Sequence, residues 1–387
     1  MNTKLKKILI ILIILLIIAL IGFLVYKFLI KKPAEEYVPG KFPPGKEGEF
    51  VPPEEEFIPE AELKIKAISK EAVMSPTLTA DKNQVIYYLR SNGNIWQSDF
   101  DGTNLTQFSN VVLDNLVDVF WSPDKAKSIS VFQDKTGSIS KYLYDYSAGN
   151  VFPLNKYIKD IYWSSDSKKI AYQYYNEFTD DNNINTANPD GSSPSTVLRT
   201  RMRDLIVEWP KGSEIFLREK PSGLVTNSLY SLNAFSKIFI KTISDTYGLS
   251  IKWSPDGSQL LYSKTNSKGK NIAIFTADRS GSNQKPITIN TLAEKCVWSQ
   301  DPRIIFCAIP KNIEEAGILP DDFYKGTFLA DDEFWKIDLE TEEKTKILEQ
   351  DEMPETYDAA DLFLSPEESY LFFVNKVNGL LYSIKME

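Results

Sequence analysis

The chain has 387 residues, of which 42% are hydrophobic and 12% aromatic, and its formal net charge is −9. This composition supplies a large core and excludes a wholly disordered chain or a small disulfide scaffold. Histidine is absent, which excludes serine-type catalytic triads and histidine-containing zinc sites. The acidic balance argues against nucleic acid as a partner, because phosphates require a basic surface.

The first segment is strongly apolar. Residues 8–26 read ILIILIILLIIALIGFLVY, without a charge. At about 1.5 Å per residue they span about 28 Å, enough to cross the hydrocarbon core of a bilayer. A cleaved signal peptide, the alternative, has a shorter apolar region followed by small residues. We therefore predict that residues 1–32 form a cytoplasmic stub and a transmembrane signal anchor, which makes the membrane one expected partner.

Residues 33–60 form the next segment, with seven prolines, eight glutamates and two lysines. Proline fixes φ and removes backbone donors, and like charges repel, so we expect a disordered, semi-extended linker. The short basic N-terminus places the chain after the anchor outside the cytoplasm. The predicted location is thus the cytoplasmic membrane, crossed once, with residues 61–387 as an extracytoplasmic domain.

One pattern recurs seven times in the main domain. Its anchor residues are separated by 43, 42, 46, 44, 45 and 66 residues, and they are Leu78, Trp121, Trp163, Trp209, Trp253, Trp298 and Leu364. This period is typical of propellers built from four-stranded blades, whereas helical repeats of similar length need an apolar stripe that is missing here. The sequence therefore predicts an all-β, seven-bladed β-propeller.

The stretch WSPDGSQLLYS, which begins at Trp253, shows the chemistry of each repeat. Pro255 suits position i+1 of a type I turn and Gly257 suits position i+3, so the chain reverses between two apolar strands. Trp253 and its equivalents offer large plates for packing between blades, and a sugar-stacking stripe is the alternative. The last repeat lacks an outer strand, which we expect residues 63–68 to supply, closing the ring.

The W-S-P-D-G turn and the D-G-x-N turn at residues 101–104 give the family resemblance. Residues 61–387 resemble the TolB-like, WD40-like (PD40) β-propeller repeat family. The resemblance implies a propeller fold and leaves function open, because one fold hosts many functions.

The largest departure from the repeat is an insertion in the sixth blade, residues 310–332. It combines aromatic groups with charge in the run Asp321, Asp322, Phe323, Tyr324 and Lys325. Such a composition suits recognition of a partner. The alternative is a lid packed over the channel mouth.

A loop of the third blade contains Asp180, Asp181, Asn183 and Asn185, and we expect its two aspartates to contribute to the same partner surface. Oxygen groups at alternating positions are also found in calcium loops, but the EF-hand glycine is replaced by Thr186. We therefore predict a polar hairpin loop and no metal or other cofactor.

Two further sets of residues are candidates. Arg199, Arg201 and Arg203 alternate, so an extended segment would present all three to an anion, with intramolecular ion pairing as the alternative. Cys296 and Cys307 lie on the two arms of one predicted hairpin, where they form either a disulfide or two buried thiols.

These observations predict a membrane-anchored, non-enzymatic scaffold that binds a protein or an envelope polymer through the face with the insertion. One alternative is a propeller that senses a small molecule or a glycan in the channel. The other is an enzyme with carboxylates in the channel, a glycosidase or a lyase.

Overall fold

The structure is a computed structural model and describes residues 63–386. The predicted anchor and linker, residues 1–32 and 33–60, lie outside these residues. No helix within the described part of the chain is long and apolar enough to cross a membrane. The described residues therefore give no support to the prediction of a single-pass membrane protein.

The described residues form seven antiparallel sheets of four strands each. The first strand, β1 (Ile65–Ala67), belongs to the last blade. Blade 1 contains β2 (Val73–Leu78), β3 (Val85–Leu89), β4 (Ile95–Ser98) and β5 (Thr106–Ser109). Blade 2 contains β6 (Leu116–Trp121), β7 (Lys127–Gln133), β8 (Ile139–Asp145) and β9 (Asn150–Pro153). Blade 3 contains β10 (Ile158–Trp163), β11 (Ile170–Asn176), β12 (Asp181–Ala187) and β13 (Ser195–Arg199).

The remaining blades follow the same order. Blade 4 contains β14 (Ile206–Lys211), β15 (Glu214–Arg218), β16 (Thr226–Asn233) and β17 (Phe239–Tyr247). Blade 5 contains β18 (Ser250–Trp253), β19 (Gln259–Lys264), β20 (Ala273–Asp278) and β21 (Lys285–Ile287). Blade 6 contains β22 (Cys296–Trp298), β23 (Ile304–Pro310), β24 (Asp332–Asp338) and β25 (Lys344–Lys346). Blade 7 contains β26 (Ala359–Leu364), β27 (Tyr370–Asn375) and β28 (Leu381–Lys385).

The described helices are short. Three are 3-10 helices, Ala293–Lys295, Ile313–Glu315 and Gln350–Glu352, and one is an α-helix, α1 (Asp321–Lys325). The second and fourth of these belong to the insertion in blade 6. The prediction of an all-β, seven-bladed propeller is thus confirmed for the described residues.

The first strands of the blades contact one another, including β2 with β26, so they surround a central channel. Indole groups join these strands. The Trp121 Nε1–H donates to the backbone oxygen of Ser75 at 2.9 Å, and the Trp163 Nε1–H donates to that of Phe120 at 2.9 Å. Trp163 is buried, as are Trp209 and Trp298. These tryptophans serve the packing between blades, as predicted.

The turn after each first strand has the expected geometry. In blade 5 the Gly257 N–H donates to the oxygen of Ser254 at 2.9 Å, and Gly257 has a φ of +64°, which favours glycine. The Ser254 hydroxyl donates to Asp256 Oδ1 at 2.7 Å. Hydrogen bonds from Ser258 and Ser254 lower the pKa of Asp256 to about 2, so the turn carries a stable negative charge.

The ring closes through β1. This strand pairs with β28 and completes blade 7, with Ile65 opposite Ile384. Ile65 is 1% exposed and packs in a core that extends from blade 6 to blade 7. The predicted closing strand, residues 63–68, is therefore confirmed.

We expect Ile65→Ala to lower the free energy of unfolding by about 2–4 kcal/mol, because it leaves a cavity at the closure. Lys66→Ala, in the same strand but partly exposed, is the matched control and should stay within about 0.5 kcal/mol of the parent. Urea denaturation of the full chain measures both. Equal effects of the two substitutions would show that the closing strand contributes little to stability.

Candidate functional site

The loops between the second and third strands of each blade share one face of the ring with the segments that connect the blades. We call this the upper face. The insertion, residues 310–332, lies on it and has its own small core, in which Leu319, Phe323 and Phe328 pack against Ile272 and Leu292.

The insertion spans several blades. The Leu319 N–H donates to the oxygen of Gly269 in blade 5 at 2.9 Å. In blade 4 the Gly223 N–H donates to Asp321 Oδ2 at 2.7 Å, and in blade 7 the Lys376 ammonium donates to the oxygen of Phe323 at 3.0 Å. We call residues 310–332 the lid, since these contacts hold them over the mouth of the channel from blade 4 to blade 7.

Two glycines set how closely the lid approaches. A Cβ atom on Gly223 would lie 2.2 Å from the oxygen of Leu319. Gly269 has a φ of +68°, and a Cβ atom there would lie 2.6 Å from the Cγ2 atom of Ile318. The lid packs directly against the backbone at these two positions, and any side chain larger than that of glycine would clash with it.

A buried ionic cluster lies beside the lid. Lys295 is 1% exposed, and its ammonium lies 2.6 Å from Asp332 Oδ2 and 2.8 Å from Asp358 Oδ1, both in fully buried side chains. Lys376 Nζ lies 3.5 Å from Asp358 Oδ2 and 3.5 Å from the centre of the Phe323 ring. Such a cluster tolerates no missing partner, because a buried charge without its counterion is costly.

The predicted lid residues therefore have contacts within the chain. Asp322 Oδ2 accepts a hydrogen bond from the Ile318 N–H at 2.7 Å, Phe323 is buried, and Lys325 is exposed. Tyr324 is 45% exposed, and its hydroxyl donates to Glu294 Oε1 at 2.6 Å. That they form a partner-binding surface stays a prediction.

Charged groups meet under the lid. Arg218 is 5% exposed, and its Nε–H donates to Glu208 Oε2 at 3.2 Å, while its Nη1 has no hydrogen-bond partner. Burial raises the pKa of Glu294, and the charge of Arg218 opposes this rise. Burial also raises the pKa of Tyr324, with a further contribution from Glu294.

The other side of the mouth, over blades 2 to 4, is open. A cavity of about 650 Å³ lies there. Lysines and aromatic rings from the upper face line it: Lys141, Lys156, Lys159, Lys220, Tyr157 and Phe178. Phe178 is 78% exposed. Three acidic residues, Asp160, Glu177 and Asp204, also line the cavity, so its wall is partly aromatic and carries a small positive excess although the chain as a whole is acidic.

Asp160, on the inner strand β10, lies where the cavity meets the channel. Its Oδ2 accepts a hydrogen bond from the Val207 N–H at 2.6 Å. Burial raises the pKa of Asp160 to about 6, with a smaller rise from the charge of Glu208. Lys141, also on the cavity wall, is 8% exposed, and burial lowers its pKa. A carboxylate that gains and loses a proton near neutral pH is suited to general base catalysis.

The sequence did not single out Asp160. Its surroundings, IKDIYW, alternate as in any inner strand, and the lysines come from three separate segments of the chain. One sequence feature could have drawn attention to Asp160. An acidic residue recurs shortly before the anchor tryptophan in three blades, as Asp118, Asp160 and Glu208.

The candidates in blade 3 lie near this cavity but outside its lining. Arg203 Nη2 lies 3.1 Å from Asp180 Oδ1, and its guanidinium lies 4.7 Å above the ring of Tyr175. The Thr179 hydroxyl donates to Asp181 Oδ2 at 2.6 Å. Within residues 63–386 no group of three or more His, Cys, Asp or Glu side chains is arranged to hold a metal.

The structure shows where the three candidate arginines and the two cysteines lie. β13 ends at Arg199, so the extended segment does not reach Arg201 and Arg203, and all three side chains are exposed. Anion binding by these arginines stays a prediction. Cys296 and Cys307 are opposite each other on β22 and β23, and they form a disulfide.

Solved structures resemble this fold. An oligogalacturonate lyase in complex with manganese matches with a TM-score of 0.59 and 13% identity, over 84% of this chain and 93% of that chain. An oligogalacturonate lyase from Vibrio parahaemolyticus matches with a TM-score of 0.59 and 10% identity, over 84% and 94%. The propeller domain of the Trilobed protease from Pyrococcus furiosus matches with a TM-score of 0.54 and 11% identity, over 82% and 96%.

TolB structures are also among the matches. The match to the propeller domain of the Trilobed protease supports the β-propeller fold. No protein-family model matches the chain. No curated relative matches it in sequence.

These matches correct the functional prediction. The first two are enzymes with the same propeller architecture, which overturns the inference of a non-enzymatic scaffold from the fold and the lack of a catalytic motif. The described residues do not fit the metal of the manganese complex, because they contain no suitable ligand cluster and the chain has no histidine. We therefore derive no step through a metal.

We expect Asp160→Asn to stabilise the protein at neutral pH. The folded pKa is about 6 and the ordinary value is 3.8, so the unfolded chain loses its proton first and stability falls as pH rises between them. Removing the charge should add about 1–2 kcal/mol at about pH 7.5, and less near pH 4. Thermal unfolding at both pH values measures this.

Asp204→Asn is the matched control, because Asp204 lines the same cavity but is exposed. It removes the same charge without relieving burial. If both variants gain equally, or if the gain of Asp160→Asn does not depend on pH, burial of Asp160 is not the cause.

Proposed function

We propose that this protein is a glycan-active enzyme that cleaves an anionic, uronate-containing oligosaccharide by β-elimination in the open cavity of the upper face. The observation that carries the proposal is the position of Asp160 among lysines and exposed aromatic rings at the edge of the channel. The propeller structures of the two oligogalacturonate lyases add support for a glycan as substrate.

The cavity wall suits a negatively charged sugar. Lys156, Lys159 and Lys220 are exposed and provide ammonium groups for carboxylates. Tyr157 and Phe178 provide apolar surfaces for the faces of the sugar rings. Lys141 is fixed by a hydrogen bond from its Nζ to the oxygen of Ile158 at 2.9 Å, so one cation is held in place beside Asp160.

The reaction needs one base and a counter-charge. In a uronate the C5–H bond is next to the carboxylate, and cations that neutralise this carboxylate make the proton easier to remove. Asp160, ionised above about pH 6, takes the C5 proton. The electron pair of that bond forms the C4–C5 double bond, and the C4–O bond breaks.

A glycosidase would need two carboxylates with complementary roles. Glu208, whose charge adds to the raised pKa of Asp160, is held by Arg218 at 3.2 Å and is largely buried. The other two carboxylates on the cavity wall, Glu177 and Asp204, are exposed. Asp160 is therefore the one partly buried carboxylate on the cavity wall. Elimination therefore fits the site better than hydrolysis. In this proposal the predicted polymer partner becomes the substrate.

The full chain should release unsaturated products from one or more of a panel of oligouronates and other acidic glycans. The new conjugated double bond gives an ultraviolet absorbance that neutral glycans and hydrolysis do not produce. Asp160→Asn should lower kcat by at least about 100-fold, as expected for loss of a general base. Asp204→Asn should retain activity, because it removes a charge from the same cavity without removing the base.

The pH dependence adds a second check. Activity should rise as the pH passes about 6, since the base must be ionised. Binding of a uronate without any product would contradict the proposal and indicate a glycan sensor. Products without the unsaturated group would indicate hydrolysis instead.

A further inference from the structure

We infer that Lys141, on the wall of the open cavity, is the acid that protonates the leaving oxygen in this elimination. This inference rests on the proposed function and adds a second catalytic group beside Asp160. It starts from the position of the two side chains, since both line the same cavity.

The ammonium of Lys141 is attached to the strand that carries Asp160. Lys141 lies on β8 of blade 2, and its Nζ donates to the backbone oxygen of Ile158, the first residue of β10, at 2.9 Å. Asp160 is two residues further along β10. At about 3.3 Å per residue, Ile158 and Asp160 are at most about 7 Å apart along the strand. A uronate bound over this strand can therefore present its C5–H bond to Asp160 and its C4 oxygen to the ammonium.

Lys141 differs from the other lysines of the cavity wall. It is 8% exposed, whereas Lys156, Lys159 and Lys220 are exposed. Burial lowers the pKa of Lys141, the charge of Asp160 opposes this shift, and the charge of Lys159 adds to it. An ammonium with a lowered pKa gives up a proton more readily than that of an ordinary lysine. The exposed lysines thus suit the substrate carboxylates, and Lys141 suits proton transfer.

The ammonium of Lys141 keeps hydrogens for a substrate. Its bond to Ile158 uses one of three N–H groups. Within residues 63–386 no carboxylate forms an ion pair with Lys141, although Asp160 lines the same cavity. The remaining N–H groups can therefore donate to an oxygen of a bound sugar.

The step balances. The C5 proton passes to the Asp160 carboxylate, the C5–H electron pair forms the C4–C5 double bond, and the C4–O bond breaks. The leaving oxygen takes a proton from the Lys141 ammonium. Asp160 ends protonated and Lys141 ends as a neutral amine, so transfer of one proton from Asp160 to Lys141, directly or through water, restores both groups.

The test compares two leaving groups in the full chain. One substrate is a uronate with an ordinary sugar alcohol at C4, and the other has 4-nitrophenolate at C4, which leaves without a proton. Lys141→Arg keeps the positive charge, but a guanidinium holds its proton too tightly to donate it. This variant should lower kcat about 100-fold for the sugar substrate and less than about 3-fold for the nitrophenyl substrate. KM should change by less than about 2-fold.

Lys141→Met is a second variant, for the case that the larger arginine does not fit the buried position. It removes the proton donor without adding volume, and it should show the same dependence on the leaving group. A merely structural role would not produce this dependence. Thermal unfolding, together with activity on the nitrophenyl substrate, shows whether each variant is folded.

Lys159→Met is the matched control, because it removes an exposed lysine from the same cavity wall. It should raise KM for both substrates and leave the ratio of their kcat values unchanged. Asp160→Asn should slow both substrates, since each elimination needs the base.

Two results would overturn the inference while the proposed function stands. One is equal slowing of both substrates by the Lys141 variants, and the other is full activity of Lys141→Arg on the sugar substrate, which would show that charge alone is sufficient. If the parent protein eliminates neither substrate, the proposed function fails and the inference fails with it.

Discussion

The pairing of β1 with β28 is the constraint on which the other features depend. It completes blade 7 and leaves no open end to the ring, so every blade has two neighbours. The open cavity needs the upper loops of blades 2, 3 and 4 side by side, and the lid is fixed to blades 4, 5 and 7 as well as its own. Indole hydrogen bonds between successive inner strands keep the blades in register around the channel.

The upper face is divided into two halves with different physical character. Under the lid, charges are paired and buried, as in the contacts of Lys295 with two aspartates. On the open side, lysines face solvent and Asp160 is the half-buried acid among them. A net charge of −9 does not reveal this contrast, because it averages over both halves. For a site, the local arrangement of charge matters more than the average.

The fold could be predicted from the sequence, because the anchor residues and their turns recur with a fixed period and depend on local chemistry. The closing strand could also be predicted, since the last repeat lacks a partner that residues 63–68 supply. The site could not be predicted, because the lysines around Asp160 come together only when three blades are adjacent. The scaffold prediction was drawn from the fold and the lack of a local catalytic motif, and enzymes with the same fold show that this inference does not hold.

Closure between the two ends of the domain also affects its synthesis. Ile65 and Ile384 are about 320 residues apart in the chain, yet they are direct partners. At about 5–20 residues per second, the ribosome takes about 15–60 s to make β28 after β1. During that time β1, with its apolar Ile65, has no strand to pair with. Completion of the ring is therefore a late event in biogenesis, and the nascent chain carries an unpaired apolar strand until β28 emerges.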